Sequence, residues 1–385
     1  MYKKASKRIS RRVFCLTSFF FLGLNIGRLA KSEHFPWLQL KKKFPADHPF
    51  IRYIGRVDQR DPQAVRLGWS GSTITFRFSG AYCAVMLNAP PNDKGLHNYF
   101  AVIIDEQAPF KIAIYPGLSQ YTIATDLEPG EHHVTLYKRT EVERFSPVTF
   151  RGIELALGET LLPLPPPLDR TIELIGDSHA CGFGNEANHH NDPFEDHTEN
   201  AYLAYGAIAA RLLNANLINL CRSGFGLTRN ANGETTPTMP HHYELLLPPE
   251  PEPWNFQSYI PDCVLIHLGT NDGFYKVDRT PDRALFVETG VALVNRIQAR
   301  YPSAQLVWLF LDRTLPNGDP SVAEDYLREI QRTIDAQGGK SIEIFEIAGA
   351  REEWGYGAVW HPSLTQHQYN GEKLASFLGD LLGWS

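Results

Sequence analysis

Glu173-Leu174-Ile175-Gly176-Asp177-Ser178-His179-Ala180-Cys181-Gly182-Phe183-Gly184 is the stretch on which the reading of this chain turns. An apolar, β-prone run from Thr171 to Ile175 stops abruptly at Gly176-Asp177-Ser178. A strand punctuated by glycine and followed by a small hydroxyl residue is how α/β enzymes present a nucleophile at the carboxyl end of a parallel strand. A turn leading into a helix cap would use the same residues, since Asp and Ser are favoured in both. What separates the two readings is whether other strand ends carry complementary chemistry.

Downstream, strand candidates at Thr171–Ile175, Asn216–Leu220, Val264–Leu268, Gln305–Leu311 and Ser341–Ile347 alternate with helical stretches near Ala201–Leu213, Pro281–Arg300, Ala323–Gln337 and Ser363–Leu382. Continuous apolar strands between helices predict an α/β domain, a flavodoxin-like parallel sheet flanked by helices. Upstream, from about Ile51 to Leu162, the pattern is different. Ser72 to Phe78 alternates apolar with polar, Tyr99 to Asp105 and His133 to Lys138 read as further strands, and Gly71, Gly80, Gly117 and Pro129-Gly130 punctuate them. Many short strands without a helix predict an N-terminal antiparallel β-sandwich. Leu161-Leu162-Pro163-Leu164-Pro165-Pro166-Pro167 reads as a stiff linker.

At 385 residues the chain has room for a leader and two domains. Lys3, Lys4, Lys7, Arg8, Arg11 and Arg12 precede an apolar stretch from Val13 to Gly27, the layout of an export signal, with a small-x-small site at Ala30-Lys31-Ser32. Ser10-Arg11-Arg12-Val13-Phe14 also has the form of a twin-arginine signal, so the export route stays open, as does an uncleaved anchor. The divisions are therefore 1–32 signal peptide, 33–162 sandwich, 163–170 linker and 171–385 parallel-sheet domain. Secretion or a periplasmic location follows, with no stable membrane partner. With 37 basic against 43 acidic residues the net charge is -6, which argues against a nucleic-acid partner. Cys83, Cys181, Cys221 and Cys263 remain after the leader; four scattered cysteines in large domains read as buried thiols, though the even number permits bridges. Without a Cys-x-x-Cys pair, no metal is expected.

The other strand ends do carry complementary chemistry. The second leads into Cys221-Arg222-Ser223-Gly224-Phe225-Gly226, the third into Leu268-Gly269-Thr270-Asn271-Asp272, and Trp360-His361-Pro362 follows the fifth. A nucleophile, hydrogen-bond donors for an oxyanion and a base along one sheet edge are the parts of acyl transfer.

These blocks, in this order, resemble the SGNH or GDSL hydrolase superfamily, and more closely carbohydrate esterase family 2, acetylxylan esterase-like deacetylases with a jelly-roll domain before the hydrolase domain. The resemblance also includes Gly55-Arg56-Val57, Lys138-Arg139-Thr140-Glu141 and Cys181 to Asn185, and runs from about Ile51 to the C-terminus. It implies Ser178 as nucleophile, His361 as base, and an oxyanion hole from Ser178, Gly224 and Asn271, with no cofactor and an acetylated polysaccharide or oligosaccharide as substrate. A carbohydrate O-acetyltransferase of the same superfamily, or a non-catalytic carbohydrate-binding protein, would show the same blocks.

Each position has a plainer reading. Gly226 competes with Gly224, Asn271 could be a turn residue, and His179 and His367 are rivals of His361. Trp360 could belong to the core or stack on a sugar as a substrate-binding residue. His189-His190 and His241-His242 read as solvated rim. In most of the superfamily an Asp three residues before the base orients it, but that place is Ala358 here. The expectation is a Ser178–His361 dyad whose imidazole is fixed by a backbone carbonyl, with a pKa near or below the ordinary 6.5. Asp272 is the carboxylate to watch as a distal third member.

Overall fold

The computed structural model describes residues 40–142, 144–274, 280–312 and 320–384. The export-signal reading of residues 1–32 lies outside them. Twelve strands of this set precede the Pro-rich stretch: β1 (Lys41–Pro45), β2 (Ile51–Ile54), β3 (Val57–Asp58), β4 (Val65–Leu67), β5 (Thr73–Ser79), β6 (Cys83–Asn88), β7 (Asn98–Ile104), β8 (Phe110–Ile114), β9 (Tyr121–Ala124), β10 (Glu131–Lys138), β11 (Val148–Ala156) and β12 (Thr160–Leu162). One layer has the order β3-β4-β11-β6-β9 with β1 on β11; the other has β12-β5-β10-β7-β8 with β2 on β5. All of these pairings are antiparallel.

The alternation along β5 explains the sandwich. Ile74, Phe76 and Phe78 point between the layers and meet Leu136 and Val134 of β10 in register. Thr73 and Thr75 point the other way, yet they too are buried. The outer face of this layer is covered by the second domain: Ala101 and Tyr137 join one apolar cluster with Leu174 and Ala207, while Trp69 and Val142 join another with Ile175 and Leu220. Because two cores are shared across the boundary, the described residues from Leu40 onward form one compact unit. Residues 163–170 have no regular structure, and the stretch is tied back to the sandwich where Arg77 donates to the Pro163 carbonyl at 3.0 Å and Arg52 to the Pro165 carbonyl at 2.6 Å.

The second domain carries β13 (Thr171–Gly176), β14 (Asn216–Cys221), β15 (Cys263–His267), β16 (Gln305–Leu311) and β17 (Glu343–Ile347), all parallel, in the order β14-β13-β15-β16-β17. The helices are α1 (Ser178–Cys181), α2 (Tyr205–Leu212), α3 (Met239–His242), α4 (Arg283–Arg300), α5 (Pro320–Ala336) and α6 (Leu364–Leu382). Residues of α2 and α6 pack in one cluster and those of α4 and α5 in another, so both faces of the sheet are covered. The helix expected from Ala201 begins only at Tyr205, because Asn200 accepts a hydrogen bond from the Tyr202 amide and caps a separate 3-10 turn at Ala201–Leu203. The chain leaves β13 toward β14 on one side and returns to β15 on the other, so β13 and β15 flank the switch point where ligands of open α/β sheets bind. No helix among the described residues is long and apolar enough to cross a membrane. The four cysteines among the described residues, Cys83, Cys181, Cys221 and Cys263, are buried free thiols.

Candidate active site

Ser178 opens a one-turn helix directly after β13. Asp177 caps it, its carboxylate accepting from the His179 amide at 3.0 Å. As the first residue of the turn, Ser178 has an amide with no helical acceptor, and it donates no hydrogen bond among the described residues. Asp177 is fully buried; burial raises its pKa, but the His179 hydrogen bond and nearby His267 outweigh that and hold it below the usual carboxylate value.

The strand end after β17 brings the imidazole. Ala358 donates its amide to the Gly184 carbonyl at 2.9 Å, which docks this loop onto the one following Ser178. A Cβ at Gly184 would lie 2.5 Å from the Ala358 Cβ, so glycine there permits the approach. Val359 and Trp360 then take left-handed conformations, φ 51° and 63°, which cost about 1–2 kcal/mol each for residues with side chains. The turn aims two carbonyls at one nitrogen: His361 Nδ1 lies 3.0 Å from Ala358 O and 3.1 Å from Val359 O. With its proton on Nδ1, the ring presents a bare Nε2, and this lies 2.9 Å from Ser178 Oγ. Burial, with the neighbouring His179 adding to it, lowers the His361 pKa to about 4, so the ring is neutral at pH 7. Phe183 packs beside it, ring centroids 4.4 Å apart.

The loop after β14 is pinned almost amide by amide. Arg222 donates to Gly176 O, Ser223 to Glu141, Phe225 to Arg222 O, Gly226 to Asn230 Oδ1, and Leu227, Thr228 and Arg229 to Asp272. Among the described residues of this run, Gly224 alone has an N–H without an intramolecular acceptor, and its φ of 85° suits glycine. Gly226 has a packing role instead, since a Cβ there would lie 2.1 Å from Arg229 O. Asp272, fully buried, spends both carboxylate oxygens on residues 227–229; burial raises its pKa against those hydrogen bonds. Among the described residues the hydrogen-bond partners of its carboxylate lie in that loop and do not include His361.

Asn271 reaches the same place differently. Its amide nitrogen donates to Asp177 Oδ2 at 3.2 Å and to Phe225 O at 2.9 Å, so both of its hydrogens have protein acceptors. His179 turns to Asp177 Oδ1 at 3.2 Å, and His367 accepts from the Tyr205 amide at 3.2 Å, which leaves His361 as the histidine hydrogen-bonded to Ser178. Trp360 is 39% exposed at the rim, with His190 stacked on it at 3.7 Å and Tyr356 edge-on at 5.2 Å. The rim reading of His241-His242 holds only for His241. His242 is buried edge-on against Phe225 at 4.9 Å, and burial drives its pKa down to about 3.

One charged cluster lies beneath the site. Among the described residues, Glu141, Cys181 and Glu199 form the group whose donor atoms, all within 4.8 Å of one another, could hold a metal ion. Burial and Glu141 push the Glu199 carboxyl well above its ordinary pKa. Glu141 already accepts from Arg144 and Ser223, and the buried Lys138 interacts electrostatically with both carboxyls, so the group has the composition of an internal ion network. Glu141 is the residue that sequence reasoning passed over. It was visible only as the end of Lys138-Arg139-Thr140-Glu141, a charged run after a strand, which locally has the look of a solvated turn.

A serine hydroxyl paired with an imidazole at the switch point of this parallel sheet, behind a two-layer sandwich, defines a GDSL-type hydrolase domain carrying an N-terminal β-domain. Residues 53–165 match the model of the carbohydrate esterase 2 N-terminal domain, and residues 174–369 match the GDSL-like Lipase/Acylhydrolase family. The cellulase/esterase CelE of Acetivibrio thermocellus is 33% identical over 338 residues, covering 88% of this chain, which spans 40% of that relative's length. An acetylxylan esterase / glucomannan deacetylase of Cellvibrio japonicus is 27% identical over 97% of this chain and 98% of its own. A family two carbohydrate esterase from Clostridium thermocellum, solved in complex with cellohexaose, superposes with a TM-score of 0.78 at 32% identity, over 87% of this chain and 100% of that one. The chain belongs to carbohydrate esterase family 2.

Proposed function

We propose that the protein is an exported serine esterase that removes O-acetyl groups from plant polysaccharides or oligosaccharides through an acyl-enzyme. The observation that carries this reading is the 2.9 Å hydrogen bond between Ser178 Oγ and an imidazole whose other nitrogen is held by two carbonyls. His361 Nε2 takes the Ser178 proton as the hydroxyl attacks the acetyl carbonyl. The oxyanion forms against the free amides of Ser178 and Gly224. The Asn271 amide adds to them by exchanging its longer bond, the one to Asp177, for one to the new negative oxygen. His361 then protonates the departing sugar hydroxyl, and water, activated by the same nitrogen, releases acetate. These steps need no cofactor.

Carbonyls in place of a carboxylate fix the tautomer and orientation of the imidazole, which is much of what the acid does in a triad, but they supply no full negative charge. The sugar specificity rests on the named activities of the relatives and on Trp360, whose exposed ring beside the base offers a stacking surface for a sugar. The basic and apolar pattern of residues 3–27 supports export.

The decisive experiment incubates the protein with acetylated xylan, acetylated glucomannan and p-nitrophenyl acetate and measures free acetate. Release without any added acceptor is expected. Acetate loss that requires an acceptor sugar would make the protein a transferase, and no turnover with retained sugar binding would make it a binding protein.

A further inference from the structure

The sandwich domain reaches toward the proposed site with the side chain of Glu141. Glu141 lies just beyond the end of β10, is completely buried, and directs Oε2 into the hydrolase domain. That single oxygen accepts from the Ser223 amide at 2.6 Å and from the Cys181 thiol at 3.7 Å. Cys181 is the last residue of the helical turn that Ser178 opens, and Ser223 directly precedes Gly224. The carboxylate thus bridges the two elements that carry the amides offered to an oxyanion.

We propose that Glu141 is a positioning residue of the esterase site, holding the Ser223 amide so that the Gly224 N–H points where the oxyanion forms. This rests on the esterase reading above. Three bonds locate the Gly224 peptide: Arg222 N to Gly176 O at 3.2 Å, Ala231 N to Gly224 O at 2.8 Å, and Ser223 N to Glu141. The third is the shortest, at 2.6 Å. A left-handed glycine has little conformational preference of its own, so its amide points where its neighbours are held. Without Glu141 the buried Ser223 N–H loses its acceptor, and the loop turns to find another. A shift of about 1 Å in an oxyanion donor is enough to cost a hundredfold in rate. Packing alone would not call for an acceptor here, because burying a polar group is costly unless it is hydrogen-bonded.

The test uses the full chain and three substitutions. Glu141→Ala removes the acceptor, Glu141→Asp keeps the charge but withdraws the oxygens by one methylene, and Glu141→Gln keeps an oxygen at full reach without the charge. With p-nitrophenyl acetate, kcat is expected to fall about tenfold to a hundredfold in Glu141→Ala and Glu141→Asp at a KM within about threefold, and to stay within about threefold in Glu141→Gln. Thermal unfolding is followed in parallel, and if Glu141→Ala fails to fold, the Asp and Gln pair decides. A retained kcat in Glu141→Asp with a lost one in Glu141→Gln would show that charge rather than reach matters. That result overturns the proposal, as does a loss confined to KM or to stability. If the wild-type protein itself releases no acetate, it is the esterase reading that fails.

Discussion

Two buried charges leave the sandwich domain and meet opposite ends of the parallel sheet, and they are used differently. Toward the amino end, the Arg56 guanidinium pairs with Glu173 of β13 at 3.4 Å and donates to the Leu245 carbonyl at 3.4 Å. Glu173 also accepts from the Tyr243 and Tyr259 hydroxyls, and Arg56 lies over the rings of Tyr243, Trp254 and Phe256. Its bonds are spent on holding two domains together. At the carboxyl end Glu141 holds a loop whose neighbouring amide is left open, two successive residues stand in left-handed conformations, and His267 and His367 each keep a buried Nε2 with no hydrogen-bond partner among the described residues. Two left-handed residues in succession stand where chemistry is proposed, while the Arg56–Glu173 pair opposite is closed by its own hydrogen bonds.

The contrast breaks most sharply at Ser178. Ser178→Ala should lower turnover of p-nitrophenyl acetate by about a thousandfold or more while the unfolding midpoint stays close to wild type. An active Ser178→Ala protein sinks the site. At the other end Glu173→Ala should do the reverse, costing about 3–5 kcal/mol in denaturant unfolding because Arg56 is left buried without its counter-charge, with kcat of the folded protein kept. If Glu173→Ala lost kcat as steeply as stability, the two ends would not be separable. Asn271→Ala should reduce kcat roughly a hundredfold, as for other oxyanion donors, with a smaller change in unfolding. A change confined to stability would assign Asn271 to tying Asp177 to Phe225.

Trp360→Ala is expected to act on one substrate class only. It should raise KM for acetylated polysaccharide about tenfold and leave p-nitrophenyl acetate, which has no sugar ring to stack, nearly unchanged. Equal losses on both substrates would place the ring in the scaffold of His361.

The mildest effect is on pH. Burial lowers His361 and His267 to about 4 and His367 and His242 to about 3, so between those values and pH 6.5 the unfolded chain binds protons that the folded one does not. Stability should therefore fall as pH drops below 6.5. Glu199 and Asp272, whose pKa values are raised, act in the opposite sense, and fewer groups are involved. An unfolding midpoint lower at pH 5 than at pH 7 is expected, together with kcat/KM flat from about pH 6 to 8 because His361 stays neutral there. An acid limb near 6.5 in a fully folded protein would mean that a carboxylate does reach the imidazole.

Much of this was legible in the sequence because it is local. Period-two strands, the Pro-rich stretch and apolar runs separated by helices are written within windows of a few residues, and they predict a sandwich followed by a parallel sheet. Punctuation at strand ends marks the blocks that hold Ser178, Gly224, Asn271 and His361, because in an open parallel sheet the carboxyl ends lie along one edge whatever the strand order. What only the tertiary structure decided depends on packing between distant segments. Ser178 and His361, 183 positions apart, meet because Gly184 lets the Ala358 loop close on it. Gly224 rather than Gly226 has the open amide because Asn230 takes the other. His242 is buried and Trp360 exposed, although each closes a single helical turn in a connecting segment, since burial is set by what covers a residue and not by its neighbours in sequence. Glu141 is the extreme case. A carboxylate at the end of a sandwich strand acquires a place beside the nucleophile only when the second domain folds over it, and no local pattern records which charge will be covered.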